Sequence, residues 1–369
     1  MERKYQITRR QLFTLAFVGL LSPMIRLLPK AAVEQAGSAA WLSPLAAVPG
    51  IVFLTWIASL MVKDSAPGEG LGEVFQRYLG RIAGKILAGL FGLWICLYAG
   101  FILRAGAERL LSTAYESGDK SFFILTVMAV VLLTVRGRLR ALARAGALFF
   151  FLLLGTVFGV LIFALPQLRV ENLLPVYGRD TGRIFLGGIP AADVLSPWVY
   201  LLFLYGYVQR REARRSLLKD SLRWQGLELL VVLLLMVTTI GCFGEGFLMK
   251  LQSPFFTMIR DIRIFNIVER IESVVIAIWV ITDYIFISGL LCAGTEALRG
   301  SLGLEKKTVL VYVGAAVALA FSFLAARSSF TFSGVSQRLI PLVNLIFLYG
   351  ILPLICLIGK IRKKSKKGD

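Results

Sequence analysis

The stretch "GLLSPMIRLLP", Gly19–Pro29, places two prolines and an arginine inside a long apolar run. A proline removes one backbone donor and crowds the preceding turn of a helix. An arginine at the centre of a membrane helix costs about 2.5–3.5 kcal/mol on insertion scales. The stretch is therefore either no membrane helix, or a membrane span that is interrupted near Ser22–Pro23.

Composition favours the membrane. Of 369 residues, 57% are hydrophobic, and the mean hydropathy of +0.76 is well above that of soluble domains. Apolar runs of about 20 residues, the length that a bilayer core requires, recur along the whole chain. We predict ten spans, at 11–33, 41–62, 86–110, 121–135, 146–166, 185–208, 224–246, 267–292, 308–326 and 338–359. They leave no room for a sizeable soluble domain.

The net charge of +19 is explained by its distribution along the chain. If the N-terminus is cytoplasmic, about 27 of the 41 basic residues fall in the connections and termini on the cytoplasmic side. This bias is the positive-inside rule, and it predicts that both termini are cytoplasmic. The same distribution argues against nucleic acid as a partner and indicates the lipid bilayer instead.

The chain offers little for catalysis or metal binding. Its four cysteines are scattered singly through apolar runs, without metal-ligand spacing, and it contains no histidine. The missing histidine excludes His-based triads and His–metal sites, and any proton relay must use carboxylates. We therefore expect no cofactor and no enzyme activity.

A second interrupted run, "GGIPAADVLSPWVY" (Gly187–Tyr200), lies in the sixth predicted span. Spans one and six open two blocks of five, and because five is odd the blocks run in opposite directions. Paired Gly/Pro-interrupted spans are typical of inverted-repeat transporters with a site near the bilayer midplane. The alternative is a pair of ordinary proline kinks, since Gly and Pro are frequent in membrane helices.

Two further stretches resemble a known family. One is "SPFFTMIRDIRIFNIVERIESVVIAIWVITDYIFISGL", Ser253–Leu290, in which the "PFF", "ERIES" and "AIW" motifs carry the likeness. The other is "EQAGSAAWLSPLAA", Glu34–Ala47. They resemble the endospore germination permeases, the GerAB-type B subunits of spore germinant receptors in the amino acid–polyamine–organocation (APC) superfamily. The chain departs from that family at Ser22-Pro23-Met24, where a small, Gly/Thr-rich turn is usual.

The resemblance implies an all-α integral membrane fold of ten transmembrane helices. They form two inverted five-helix repeats, LeuT/APC-like, with spans one and six discontinuous. The expected domain is a single one over 1–369, with repeat one at about 11–166, repeat two at about 185–326 and the last two spans at about 308–359. The family also implies two partners, a germinant receptor A subunit and a C-subunit lipoprotein, and a place in the inner membrane of the spore.

A small-molecule site is expected where spans one, three, six and eight meet. The candidate ligand-binding residues are Ser22, Pro23, Met24, Arg26, Tyr98, Asp193, Ser196, Thr282 and Asp283. Arg26 either meets an anionic group at the N-terminus of the outer half-helix or snorkels to the outer surface. Asp193 either pairs with Arg26 or caps the half-helix that follows it.

Asp283 is the sharpest of these candidates, because a carboxylate near mid-membrane faces the bundle interior or water. It serves an ion, a proton or a ligand amine, or it makes a structural hydrogen bond. Tyr98 either lines the site or hydrogen-bonds across helices. Arg104 and Glu108 lie four residues apart and are predicted to pair. A structural latch at the outer mouth is predicted from Arg260, Glu269, Arg270 and Glu272.

Three functions follow from these expectations. The leading one is a germinant sensor of transporter fold that binds a small nutrient, of the amino acid type, and signals to partner subunits. The second is a proton-coupled amino acid permease, in which Asp283 would cycle its proton during transport. The third, a membrane enzyme, lacks the clustered acid/base or metal-binding groups that catalysis needs.

Overall fold

The computed structural model describes residues 7–66, 68–113, 118–213, 216–251, 253–261, 271–304, 308–324 and 329–368. In these ranges the backbone is helical apart from turns, short irregular connections and one isolated bridge between Ile7 and Val208. The α-helices are α1 (Arg9–Ala36), α2 (Ser43–Ala46), α3 (Val48–Lys63), α4 (Leu71–Leu79), α5 (Arg81–Thr113), α6 (Lys120–Arg136), α7 (Leu139–Ala164), α8 (Thr181–Leu195), α9 (Arg210–Ala213), α10 (Leu217–Leu248), α11 (Pro254–Asp261), α12 (Ile271–Leu302), α13 (Thr308–Leu324), α14 (Ser329–Gly334), α15 (Ile340–Leu345) and α16 (Leu352–Gly368).

Tighter and wider helical turns join these helices. The 3₁₀ segments are Gly37–Leu42, Leu165–Gln167, Val170–Leu173, Gly178–Asp180 and Pro197–Tyr207. The π-helical turns are Val335–Leu339 and Ile346–Ile351. Within the described residues, seven helical stretches are long and apolar enough to cross a membrane, and the first of them, Arg9–Lys63, contains both α1 and α3. The number of ten spans stays a prediction.

The helix bundle has two ends, which we call the terminal face and the distal face. At the terminal face, Arg9 at the start of α1 donates to Asp220 Oδ2 at 2.7 Å and to Tyr205 Oη at 2.9 Å. The N–H of Ile7 donates to the carbonyl of Tyr207 at 3.2 Å. The distal face holds the other end of α1, at Ala36. The first helix is thus fixed to the connection after span six where the two meet at the terminal face.

The chain's C-terminal helix is also held at the terminal face. Lys360 and Lys363 of α16 donate to the carboxylate of Asp64, at 2.8 and 2.9 Å, and the hydroxyl of Tyr78 in α4 donates to it at 2.6 Å. Burial raises the pKa of Asp64, but these hydrogen bonds outweigh burial and hold its pKa well below the usual range. Asp64 is therefore an ionised anchor for the basic tail.

Helix α1 corrects the expectation that span one is discontinuous at Ser22–Pro23. It runs unbroken from Arg9 to Ala36, with both of its prolines inside. Proline fixes φ near −65°, a helical value, so a single proline removes one hydrogen bond without ending the helix. The residue four positions before Pro23 is Gly19, where a Cβ would overlap the ring of Phe286 in α12. The close packing of α12 on Gly19 supports the helix across the weakened turn.

Span six does change its backbone at the second Ser-Pro pair. Helix α8 ends at Leu195, Ser196 forms a bend, and the chain continues as the 3₁₀ segment Pro197–Tyr207. A 3₁₀ run of 11 residues is long, because such runs rarely exceed three or four. Pro190, by contrast, lies inside α8. The predicted interruption of span six is thus confirmed at Ser196–Pro197, and that of span one is wrong.

Candidate ligand-binding site

A cavity of about 470 Å³ lies between the distal halves of α1, α5 and α8 and the start of span ten. Its described lining residues are Arg26, Leu27, Lys30, Ala31, Glu34, Gln35, Ala105, Glu108, Arg109, Ser112, Leu186, Ile189, Pro190, Asp193, Val194, Ser253, Phe332, Ser336, Gln337 and Pro341. Glu34, Gln35 and Gln337 are exposed, whereas Arg109 and Asp193 are buried. The cavity therefore opens at the distal face and reaches into the bundle.

Arg26 of α1 lies on the wall of this cavity. Its guanidinium carbon is 5.7 Å from the centroid of the Phe101 ring, a cation–π contact, and no carboxylate among the described residues lies within ion-pair distance of it. Arg26 interacts electrostatically with Arg109 and Asp283, and Lys30 lies one turn further along the same wall. Two guanidiniums and one carboxylate leave a net positive charge at this wall, which suits an anionic group.

Asp283 faces Arg109 instead of the cavity. The Arg109 guanidinium donates through Nη2 to Asp283 Oδ2, in an ion pair whose side chains are 7% and 6% exposed. The same guanidinium donates through Nη1 to Ser22 Oγ at 2.6 Å, and its carbon is 4.9 Å from the centroid of the Trp279 ring. Of the two roles considered for Asp283, the geometry favours the structural one, because its charge is already neutralised by α5.

The backbone of α5 makes room for this ion pair. A Cβ on Gly106 would lie 2.7 Å from Asp283 Oδ2, closer than side-chain atoms ordinarily approach. The carboxylate therefore reaches Arg109 across a position that only glycine leaves free. Ser22 joins the same network as an acceptor for Arg109. In this way Ser22 links the ion pair between α5 and α12 to the middle of α1.

Asp193 lines the same cavity from α8 and is 5% exposed. It is not the cap of a following half-helix, since it lies inside α8, two residues before its end. It also forms no ion pair with Arg26, although both line the cavity. Its described partner is the side-chain amide of Asn344, whose Nδ2 donates to Asp193 Oδ1 at 2.9 Å. The Asn344 oxygen accepts from Trp94 Nε1 at 3.0 Å and from the Tyr200 hydroxyl at 2.8 Å.

Four other candidates lie behind the cavity wall. Pro23 and Met24 are buried in α1, and Tyr98 packs against the rings of Phe101, Tyr200 and Phe286. The hydroxyl of Thr282 donates to the carbonyl of Trp279 in its own helix, at 2.8 Å. Tyr98 also interacts electrostatically with Arg26 and Asp193 and with the side chain of Asn344, so its hydroxyl lies near both of these cavity residues. The other three shape the bundle around the cavity.

Ser196 likewise lies behind the wall, where it forms part of the span-six break. Its hydroxyl donates to the carbonyl of Ala192 at 2.5 Å and lies 2.7 Å from the hydroxyl of Tyr349. A serine that bonds back to the preceding turn bends a helix. Its described hydrogen bonds therefore shape span six, and a role of Ser196 in ligand binding stays a prediction.

The predicted latch lies largely outside the described residues. This holds for Glu269, Arg270 and the side chain of Glu272. Arg260 is exposed, and its guanidinium carbon lies 6.0 Å from the centroid of the Phe256 ring. The latch stays a prediction. The pairing of Arg104 with Glu108 is confirmed, at 2.7 Å.

Two groups in this region were missed from the sequence. A cationic partner for Asp283, such as Arg109, could have been expected from the sequence, because a carboxylate inside a membrane span usually pairs with a cation on a neighbouring helix. The role of Asn344 could not have been expected, since its side chain is uncharged and its partner Asp193 is 151 residues away in the sequence. The two carboxylates that were predicted to share one site therefore have separate partners. Asp283 forms an ion pair with Arg109, and Asp193 accepts a hydrogen bond from Asn344.

The fold resembles that of a solved transporter. This is Mhp1, a nucleobase-cation-symport-1 family transporter in a closed conformation with bromovinylhydantoin bound. The TM-score is 0.65 at 12% sequence identity, covering 93% of this chain and 76% of that one. The likeness confirms the all-α, LeuT-like transporter fold. It carries no information about the ligand, and the superposition of two inverted repeats stays a prediction.

Two curated relatives come from Bacillus subtilis (strain 168). Spore germination protein A2 is 25% identical over 320 residues, which cover 82% of this chain and 81% of that protein. Spore germination protein KB is 23% identical over 271 residues, covering 73% and 71% respectively. A family model described as spore germination protein matches residues 6–330. This multi-pass membrane protein therefore belongs to the spore germination permease family, which is not a family of enzymes.

Proposed function

We propose that this protein is the transporter-fold membrane subunit of a spore germinant receptor. It binds a small nutrient with an anionic group, of the amino acid class, in the cavity between α1, α5 and α8. Binding shifts the protein between two conformations, and partner subunits convert that shift into the signal for germination. The observation that carries this proposal is Arg26, a cation on the cavity wall without an ion pair among the described residues.

The arrangement of the two faces supports a sensor that samples the distal side. The cavity opens at the distal face, while Arg9 and the residues it binds tie α1 to the connection after span six at the terminal face. The distribution of basic residues predicts that the distal face is external and that both termini are cytoplasmic. We place the protein in the inner membrane of the spore, with a germinant receptor A subunit and a C-subunit lipoprotein as its partners.

A second candidate is a proton-coupled amino acid permease. The likeness to a transporter and the cavity open at one face favour it. The ion pair between Arg109 and Asp283 speaks against Asp283 as its proton carrier, because the Asp283 carboxylate lies behind the cavity lining and is already bound by a buried cation.

A paired experiment separates the sensor from the permease. Spores that lack their own germinant receptors are supplied with this chain and its partner subunits, and release of dipicolinic acid is followed after addition of each amino acid. In parallel, uptake of the same amino acids is measured in vesicles that contain the purified chain. The sensor requires germination that is lost in Arg26→Gln at equal protein level, without saturable uptake. Saturable uptake without a germination response would establish the permease.

A further inference from the structure

The cavity presents a second polar group besides Arg26, on a different helix. Asp193 lines it from α8, and the amide of Asn344 holds one carboxylate oxygen at 2.9 Å. The orientation of this amide is fixed, because its oxygen accepts from both Trp94 and Tyr200 and only its nitrogen is left to face Asp193. Asp193 is therefore held in place by an uncharged partner from span ten.

Asp193 keeps most of its capacity to accept hydrogen bonds. An ionised carboxylate has about four acceptor positions, and Asn344 occupies one of them. No hydrogen bond to Oδ2 is made by any residue in the part of the chain that the structure describes. Asp283, the other buried carboxylate of this region, already forms an ion pair with Arg109. The acceptor available to a bound molecule deep in the cavity is thus Asp193.

A guanidinium and a carboxyl group therefore face one space of about 470 Å³, Arg26 on α1 and Asp193 on α8. A molecule that carried only an anionic group would leave Asp193 without a donor, and a simple amine would be repelled by Arg26. Both groups are satisfied when the ligand is a zwitterion. Rejection of singly charged analogues by an unpaired opposing charge is a recognised route to specificity.

We infer that Asp193, held by Asn344, is the subsite for the ammonium group of a zwitterionic α-amino acid whose carboxylate binds Arg26. This inference rests on the proposed function and adds to it the second recognition group and the charge of the ligand. It also makes α8, which leads directly into the Ser196–Pro197 break, one of the two helices that the ligand bridges.

The test compares matched probes on the purified full chain. Each of the twenty proteinogenic amino acids is measured beside the carboxylic acid that lacks its α-amino group, by isothermal titration in detergent micelles. For the best-bound amino acid, we expect the amino group to improve affinity at least about tenfold, the gain expected from hydrogen bonds to a charged group. In Asp193→Asn, a replacement of nearly the same shape, that preference should fall to less than about threefold, while the deaminated acid still binds.

Glu171→Gln is the matched control, because it removes an exposed carboxylate that does not line the cavity and should leave the preference intact. Binding of the carboxylic acids with no preference for the amino group would overturn this inference and leave the proposed anion site standing. The wild-type comparison alone decides that point even where Asp193→Asn fails to fold. Binding of no probe at all would overturn the proposed function together with this inference.

Discussion

Replacing Asp283 by asparagine should destabilise the fold itself. Asp283 and Arg109 form a buried ion pair between α12 and α5, with side chains 6% and 7% exposed. Asparagine keeps the shape of the side chain but carries no charge. Arg109 would then remain a buried cation whose described contacts are the Ser22 hydroxyl and the Trp279 ring, both uncharged.

The expected cost follows from this geometry. Removing one partner of a buried ion pair typically costs about 3–5 kcal/mol, because the remaining charge is left uncompensated. Replacing both partners, as in Arg109→Gln/Asp283→Asn, removes that charge. The double variant should therefore be more stable than Asp283→Asn alone, and the cycle should show a coupling free energy of about 0.5–3 kcal/mol, the range for residues in contact.

The assay is equilibrium unfolding of the purified chain in mixed micelles, followed by tryptophan fluorescence and circular dichroism. Glu34→Gln, at the exposed rim, serves as the control and should change the free energy of unfolding by less than about 0.5 kcal/mol. If Asp283→Asn is also within about 0.5 kcal/mol of the wild type, the ion pair does not hold the bundle together. Asp283 would then be available again as a group for ligand or proton.

Three further outcomes are expected. Gly106→Ala should cost about 1–3 kcal/mol, because its Cβ would overlap Asp283, whereas Gly155→Ala, with open space around it, should be nearly neutral in the same unfolding assay. Asp64→Asn should speed tryptic removal of the C-terminal tail at neutral pH. Because the pKa of Asp64 is lowered, protection of the wild-type tail from amide hydrogen exchange should persist as pH falls through about 4, where an ordinary aspartate titrates, and be lost only in stronger acid. A cysteine placed at position 364 should react with an impermeant reagent only from the cytoplasmic side, and labelling from outside would contradict the topology.

The fold class was predictable because its signals are local. Hydropathy identifies apolar helices without reference to the rest of the chain, and the Ser196–Pro197 pair correctly marks where span six changes its backbone. The same dipeptide at Ser22–Pro23 led to a wrong prediction of a break, since α1 continues there and is packed against another helix. The ring of Phe286 packs against Gly19 from another helix, and nothing within span one reveals that contact.

The site was predictable only in part. Arg26 and Asp193 stood out as charges inside apolar runs, and both line the cavity. Their partners were not predictable, because Asp283 meets Arg109 across 174 residues and pairing between helices leaves no periodic pattern in the sequence. The expected anion site at a half-helix N-terminus is absent from the continuous α1, so the positive charge on this wall is that of the side chains alone.

The central claim is that Arg26 anchors an anionic group of the nutrient, and ligand affinity in matched variants tests it most directly. The dissociation constant of the best-bound amino acid would be measured by thermal stabilisation of the wild type, Arg26→Lys and Arg26→Gln. All three should fold equally well, because Arg26 makes no ion pair among the described residues. We predict that Arg26→Gln weakens binding about 10- to 150-fold, the equivalent of 1.5–3 kcal/mol for a charged hydrogen bond, and that Arg26→Lys weakens it less. An unchanged dissociation constant in Arg26→Gln would contradict the account and leave Arg26 as a side chain that merely reaches toward the membrane surface.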